Sequence, residues 1–401
     1  MPITPAFSHP LLRQRDGHHA RVTYEELFFD LVYVFAVTQL SHELLHHLGF
    51  MGVAQTLVLW FAVWLGWQYT CWVTNWFDPQ TPRIRGMLFS TMLLGLLMAS
   101  SIPEAFAERG LVFALAYVAM QVGRTAFIWS QLPAWHPLAL NYRRMLGWVC
   151  ISAVFWIAGG LADPQLRLLL WFVAVLCEYV SPMFGFALPG LGRSQTQDWT
   201  IEGGHMAERC QLFVIVALGE TLLASGATLA DTKTWEWDVL MALGATFIGT
   251  LAMWWLYFGT SSKDATEAIT RAEDPGRIGA YFHYVHAILI AGVIASAVGN
   301  DLVLAHPHAL AAAPQIAILL AGPAIYLLGS AIYKKTVYGA LPASHWLGAL
   351  MLLVLVPLGQ VCNLLVLGWL TTLLILGVAL WDTHAAKRRQ RLGTVAEHGH
   401  H

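Results

Sequence analysis

ELFFDLVYVFAVTQLSHELLHH, residues 26–47, is the stretch on which the reading of the chain turns. About 20 apolar residues in a helix cross the roughly 30 Å hydrocarbon core of a bilayer, and this stretch has that length. It nevertheless holds Glu26, Asp30, Gln39, His42, Glu43 and His46. An ionisable group at bilayer depth costs a few kcal/mol on insertion scales, so it faces the interior of a helical bundle and takes a partner there. The stretch therefore predicts a spanning helix with a polar inner face.

The remainder of the chain supplies the bundle. Of its 401 residues 57% are apolar and only 11% charged, with 18 Trp, far from the averages of a soluble domain. Twelve apolar stretches follow one another, near 27–48, 52–75, 86–103, 110–131, 144–162, 167–188, 207–226, 237–259, 280–300, 312–333, 344–359 and 361–382. They are too long, and lack the alternation, for barrel strands, and helices alone then satisfy every backbone group in lipid. The fold class is an all-α polytopic membrane protein of about 12 transmembrane helices. Cys71, Cys150, Cys177, Cys210 and Cys362 stand singly in apolar stretches and read as packing residues. The first apolar run is not followed by a small-residue cleavage site, so it is expected to stay as a helix.

Basic residues concentrate in cytoplasmic loops. One alternate set of connections holds Arg13, Arg15 and Arg21; Arg83 and Arg85; Arg143 and Arg144; Arg193 and Arg209; Lys263, Arg271 and Arg277; Lys334 and Lys335; and Lys387, Arg388, Arg389 and Arg391, 18 of the 22 Lys and Arg. The opposite loops hold Arg109, Arg167 and Lys233 beside several acidic residues. Both termini are thus expected on the cytoplasmic side of the membrane, and the run AAKRRQRL lies where anionic lipid headgroups would attract it, a solvated stop-transfer flank being the other reading.

Three pairs of segments match in order: LVYVFAVTQ (31–39) with LFVIVALGE (212–220), GLLMASSIP (95–103) with AGVIASAVG (291–299), and VGRTAFIW (122–129) with LGSAIYKK (328–335). The order suggests a six-plus-six internal repeat whose halves share one orientation. On this reading 1–22 is a cytoplasmic segment, 23–189 the first six-helix half, 200–383 the second, and 384–401 a basic cytoplasmic tail. Gln39 and Glu220 then lie at equivalent depths.

The polar groups inside the apolar runs are the candidate functional residues. Glu26, Asp30 and Tyr33 are spaced to share one helix face. Arg124 is the basic residue in the middle of an apolar run, and an Asp30–Arg124 pair is expected, either as a lock between helices or as part of a pathway. His205, Glu208 and Arg209 open the seventh stretch, where a carboxylate also favours the positive end of the helix dipole. Glu220 lies three turns deeper, either protonated or facing water or a cation. His283 and His286 share a face and suit a metal, a proton relay or plain carbonyl hydrogen bonds. Glu178 precedes Ser181-Pro182, where a proline frees backbone carbonyls for a cavity or a kink. His42-Glu43-Leu44-Leu45-His46 has the H-E-x-x-H form of a zinc hydrolase, yet it falls where a helix end meets headgroups. No cofactor is called for, and a metal, were one bound, has His42, His46, His283 and His286 as its candidates.

YEELFFDLVYVFAVTQLSH (24–42), HMAERCQLFVIVALGETLL (205–223) and YFHYVHAILIAGVIASAVG (281–299) resemble, in sequence and spacing, the recurring segments of the bacterial low temperature requirement A (LtrA) family. The resemblance implies a multi-spanning protein of the bacterial cytoplasmic (inner) membrane, linked by name to growth in the cold and without an agreed substrate. It carries over Glu26, Asp30, Gln39 and His42, then His205, Glu208, Arg209 and Glu220, then His283 and His286, as signature positions. FFDLVYVFAVTQL is also similar to the pore-lining first helix of potassium/proton channels built from six-helix repeats, although Phe29 stands where those have serine and Tyr24 where they have arginine.

The function these readings favour is a channel or secondary transporter for an ion or small solute, with protons taking part. Asp30, Gln39, Glu220 and Glu208 would serve as polar stations, Arg124 as counter-charge, and His283 and His286 as relays. The chain has no nucleotide-binding loop and no nucleic-acid signature; its expected partners are lipid, the transported species and, in a homo-oligomer, its own copies. A membrane-embedded metal enzyme and a non-catalytic membrane factor for cold growth are the alternatives.

Overall fold

A computed structural model describes residues 9–15, 20–259, 262–270 and 272–398. Among them are thirteen α-helices: α1 (Tyr24–His46), α2 (Phe50–Trp76), α3 (Pro82–Ser100), α4 (Gly110–Gln131), α5 (Pro137–Leu161), α6 (Pro164–Met183), α7 (Gly203–Asp231), α8 (Trp237–Phe258), α9 (Ser262–Thr270), α10 (Pro275–Ala305), α11 (Ala313–Tyr338), α12 (Ala343–Gly359) and α13 (Leu364–His398). Each of the twelve apolar stretches is one of these helices, and the short polar α9 is the addition. Ten helices, α2–α8, α10, α11 and α13, are long and apolar enough to cross a membrane. Helix α1 has 23 residues but carries more polar side chains, and α12 is shorter at 17 residues. The chain is a polytopic helical membrane protein.

Local chemistry sets the helix ends. Thr23-x-x-Glu26 forms a capping box at the start of α1. Proline occupies the first turn of α3, α5 and α6, where its missing N–H costs nothing. Gly339, at φ 76°, closes α11 and donates its N–H to the Lys335 carbonyl at 2.8 Å. Two ends depart furthest from the apolar frame. Helix α5 starts at Pro137, so Arg143 and Arg144 are helical rather than in a loop, and Arg144 is buried with its guanidinium on the Leu191 carbonyl at 2.6 and 2.8 Å. Helix α13 continues through the basic run to His398, in keeping with the helix propensity of Ala, Lys, Arg and Gln. Side chains of Arg389 and Arg391 lie outside the described residues, as do Arg271 and the side chain of Lys263.

The chain forms two compact units, one from residues within 1–213 and 269–283, the other from residues within 214–268 and 284–401, so that α7 and α10 are each shared. In the first unit α1 packs on α2 and α3, α3 on α4, α4 on α5, and α5 on α6, while α2 also meets α4 and α6. Helix α2 is buried on nearly all sides in its C-terminal half, where Trp64, Trp67 and Cys71 have no exposed surface. All five cysteines are unpaired.

In the second unit α8 packs on α13, and α12 on α11 and α13. Helices α10 and α11 approach so closely that glycine is required on both. A Cβ on Gly292 would lie 2.5 Å from the backbone nitrogen of Tyr326, and one on Gly322 would lie 2.5 Å from that of Ser296. Small residues that let helix backbones touch replace, within lipid, the hydrophobic driving force available in water. Gly322→Ala is expected to destabilise the folded protein by about 1–3 kcal/mol, because backbone rather than a flexible side chain must give way. Gly377→Ala on α13, where a Cβ meets nothing within 4 Å, should leave thermal unfolding in detergent unchanged or raised.

Candidate functional site

A cluster of ionisable side chains is buried in the first unit where the first turns of α1 and α7 meet the last turns of α2. Glu26, His205 and Arg209 have no exposed surface and Asp30 has 2%. The Arg209 guanidinium joins the two carboxylates, with Nη1 3.0 Å from Glu26 Oε1 and Nη2 donating to Asp30 Oδ1 at 2.6 Å. Trp67 Nε1 donates to the same Asp30 oxygen at 2.7 Å, and its ring lies 5.8 Å from the Arg209 Cζ.

Arg13 closes the cluster from the N-terminal segment. That segment is pinned across the end of α2 by paired backbone bonds, Arg13 N–H to the Trp76 carbonyl and Asp78 N–H to the Leu11 carbonyl, each 2.9 Å. The pinning delivers the Arg13 guanidinium to Glu26 Oε2 at 2.7 Å and to the Thr74 carbonyl at 2.6 Å. Beside it Arg15 donates to the Thr200 carbonyl at 2.7 Å. Burial lowers the pKa of Arg15, with the Glu202 carboxylate acting in the opposite direction.

The hydrogen bonds around His205 assign its tautomer. Glu202 N–H donates to Asn75 Oδ1 at 2.8 Å, which fixes the Asn75 amide so that its nitrogen faces His205 Nδ1 at 3.0 Å. Nδ1 then accepts, and Nε2 carries the proton that it donates to Glu26 Oε1 at 2.9 Å. With that neutral imidazole, two guanidinium groups balance two carboxylates. Glu26 serves twice, since its Oε2 also accepts the Thr23 N–H at 2.9 Å, and Glu202 accepts the Gly204 and His205 N–H groups at 2.9 and 2.7 Å where α7 begins. Two buried atoms of the cluster are left without a hydrogen-bond partner, Asp30 Oδ2 and Arg209 Nε.

Arg124 does not pair with Asp30. Asp30 is taken by Arg209 and Trp67, whereas Arg124 on α4 donates to the Gly66 carbonyl at 3.2 Å, to Thr70 Oγ1 at 2.9 Å and to Gln121 Oε1. A side chain on α4 competes poorly with one on α7 that already lies over the Trp67 ring. Gln121 then passes the interaction on, its Nε2 donating to Glu178 Oε2 at 3.3 Å. Glu178 on α6 accepts three further bonds, from Tyr117 at 2.5 Å, Ser152 at 2.7 Å and Trp156 at 2.9 Å. Pro182 removes the N–H that the Glu178 carbonyl would have received, and Tyr69 and Ser181 hydroxyls reach that carbonyl at 3.4 and 3.3 Å instead. No cavity is needed to satisfy this network.

The other residues singled out from the sequence are dispersed. Gln39 is half-buried on α1, and Glu208, half-buried on α7, accepts the Val22 N–H at 3.3 Å. Glu220 is buried in the second unit's part of α7. His42 and His46 are exposed, with His46 Nδ1 2.7 Å from the His42 carbonyl. His283, in the first unit, has Nδ1 2.9 Å from the Gly279 carbonyl. His286, in the second, has Nε2 2.6 Å from the Tyr257 hydroxyl. Among the described residues no three His, Cys, Asp or Glu side chains are grouped to hold a metal ion, which leaves the H-E-x-x-H reading without a third ligand.

Arg13, Trp67 and Asn75 were not anticipated as site residues, and neither was a second buried pair, Lys334 on α11 with Asp382 on α13, each 2% exposed. By sequence alone Lys334 falls with the loop cations. The available signal was the same for all of them, a polar residue inside or beside an apolar frame, but it names no partner.

Arg209→Met is expected to destabilise the protein by about 3–5 kcal/mol, since it leaves the buried Asp30 carboxylate with the Trp67 indole alone and takes one of two guanidinium groups from Glu26. Adding Asp30→Leu should recover part of that loss in thermal unfolding; equal damage in the single and double variants would refute the pairing. Glu178→Gln is expected to lose about 1–3 kcal/mol, because its amide group points donors at donors, and the same unfolding measurement checks it.

No solved structure matches this chain significantly. A curated relative, an uncharacterized protein of Rhizobium meliloti (strain 1021), is 37% identical over 389 residues, which is 95% of this chain and 93% of that protein. The family profile of the bacterial low temperature requirement A protein matches residues 21–380. With all but the chain's ends inside that match, the protein belongs to the LtrA family of bacterial membrane proteins.

Proposed function

We propose that this protein is a channel or secondary transporter of the bacterial inner membrane, moving an ion or small solute with protons taking part, and that the Arg13–Glu26–Asp30–His205–Arg209 cluster is its polar station. The observation that carries this reading is the contrast between two buried networks in the same unit. Glu178 receives four side-chain hydrogen bonds and needs nothing more. The Arg209 cluster instead leaves Asp30 Oδ2 and Arg209 Nε unpartnered; other buried atoms such as Trp64 Nε1, Gln68 Oε1 and Arg85 Nε are open too, but here an open carboxylate oxygen and an open guanidinium nitrogen belong to the same ion pair. A network that only locks helices together resembles the first; one that receives a mobile species resembles the second. The His205–Glu26 hydrogen bond adds an imidazole, the side chain whose ordinary titration range lies nearest physiological pH. The basic-loop asymmetry supports a cytoplasmic position for this end of the first unit, with Arg13 covering it.

The purified protein in liposomes holding a pH-sensitive dye is expected to dissipate an imposed pH gradient faster than protein-free vesicles, and His205→Ala is expected to lower that rate while the protein still folds and inserts. Dissipation equal to that of empty vesicles under sodium, potassium and chloride gradients alike would end the transport reading.

A further inference from the structure

The second unit contains a cavity of about 30 Å³ among α8, α10, α11 and α13, room for a particle or two of water size. Three of its polar lining residues have spent their donors. Thr246, Thr371 and Thr372 each turn their hydroxyl proton to a backbone carbonyl, those of Leu243 at 3.0 Å, Leu367 at 2.9 Å and Ala245 at 2.9 Å. Their oxygen lone pairs remain. Ser296, 5% exposed, lines the same cavity with an Oγ that has no hydrogen-bond partner.

The backbone contributes in the same direction. Pro323, also in the lining, lacks the N–H that would bond the Leu319 carbonyl one turn before it. At Pro182 the equivalent carbonyl, that of Glu178, is reached by Tyr69 and Ser181 hydroxyls; at Pro323 no side-chain donor is bonded to the Leu319 carbonyl among the described residues. Leu319 lines the cavity as well. The space is therefore lined by three threonine oxygens whose protons are engaged elsewhere, by the Ser296 hydroxyl, whose proton is free to turn away, and by the Asn300 amide, whose oxygen is a further neutral ligand, with no carboxylate in the lining.

We infer that this cavity is a binding site for a small monovalent cation, with sodium the best fit. Neutral oxygen donors suit a single positive charge, whereas calcium sites recruit carboxylates and magnesium retains several waters that this volume does not hold. Discontinuities in transmembrane helices, where carbonyls are released, are a recurring source of such ligands. The inference goes beyond the proposed transport role and does not depend on it, because binding is read without flux.

The experiment is equilibrium binding of radiolabelled sodium to the detergent-solubilised protein. Saturable uptake, displaced by unlabelled sodium and not by choline, is expected. Ser296→Ala, which removes one ligand with almost no change of volume, should weaken it about tenfold, as the loss of one hydrogen-bond-strength contact to a charge implies. Should Ser296→Ala not fold, Thr371→Val provides the same comparison. Absence of saturable sodium binding by the folded wild-type protein, or unchanged affinity in the folded variants, would overturn the site and leave the cavity to water.

Discussion

The placement of the Arg209 guanidinium between Glu26 and Asp30 is the constraint on which the first unit depends. Three charged groups without exposed surface to speak of are tolerable in an apolar bundle only as a set. To assemble that set, α1 and α7 must begin beside each other and α2 must end there with Trp67 turned toward both. The caps follow from the same requirement. Glu26 and Glu202 each hold backbone N–H groups at a helix start, so the residues that begin α1 and α7 also position the charges they carry.

Neighbouring polar groups divide the labour differently. Around Glu178 hydroxyl, indole and amide donors saturate the carboxylate, and Gln121 connects it to Arg124 without direct ion pairing. That arrangement fixes α2, α4, α5 and α6 to one another. The second unit uses a direct buried pair, Lys334 with Asp382, to join α11 and α13, and glycine contacts to bring α10 against α11. Within a low-dielectric interior each solution avoids the costly state, a lone charge, by a different chemistry.

The incomplete places carry the functional argument. Asp30 Oδ2 and Arg209 Nε in one unit and Ser296 Oγ in the other are buried polar atoms without a hydrogen-bond partner. On the proposed reading these are the atoms offered to a bound ion or solute.

The sequence by itself determined the fold class. Apolar runs of bilayer length, the T-x-x-E start of α1 and the prolines at helix beginnings act through backbone hydrogen bonding and burial within one segment, so they are legible along the chain. The sequence also singled out Glu26, Asp30, His205 and Arg209 as signature polar residues, because an apolar frame makes any ionisable group conspicuous, although it counted Arg209 among the cytoplasmic cations at a helix entry. It did not decide their partners. Asp30 was matched with Arg124 because both lie inside apolar runs, but the choice between Arg124 and Arg209 depends on which helix faces Trp67, and that is set by packing across residues 179 positions apart in the chain. Arg13 and Lys334 were read as loop cations for the same reason: whether a basic residue meets water or a buried carboxylate is decided by the neighbour that tertiary structure places beside it.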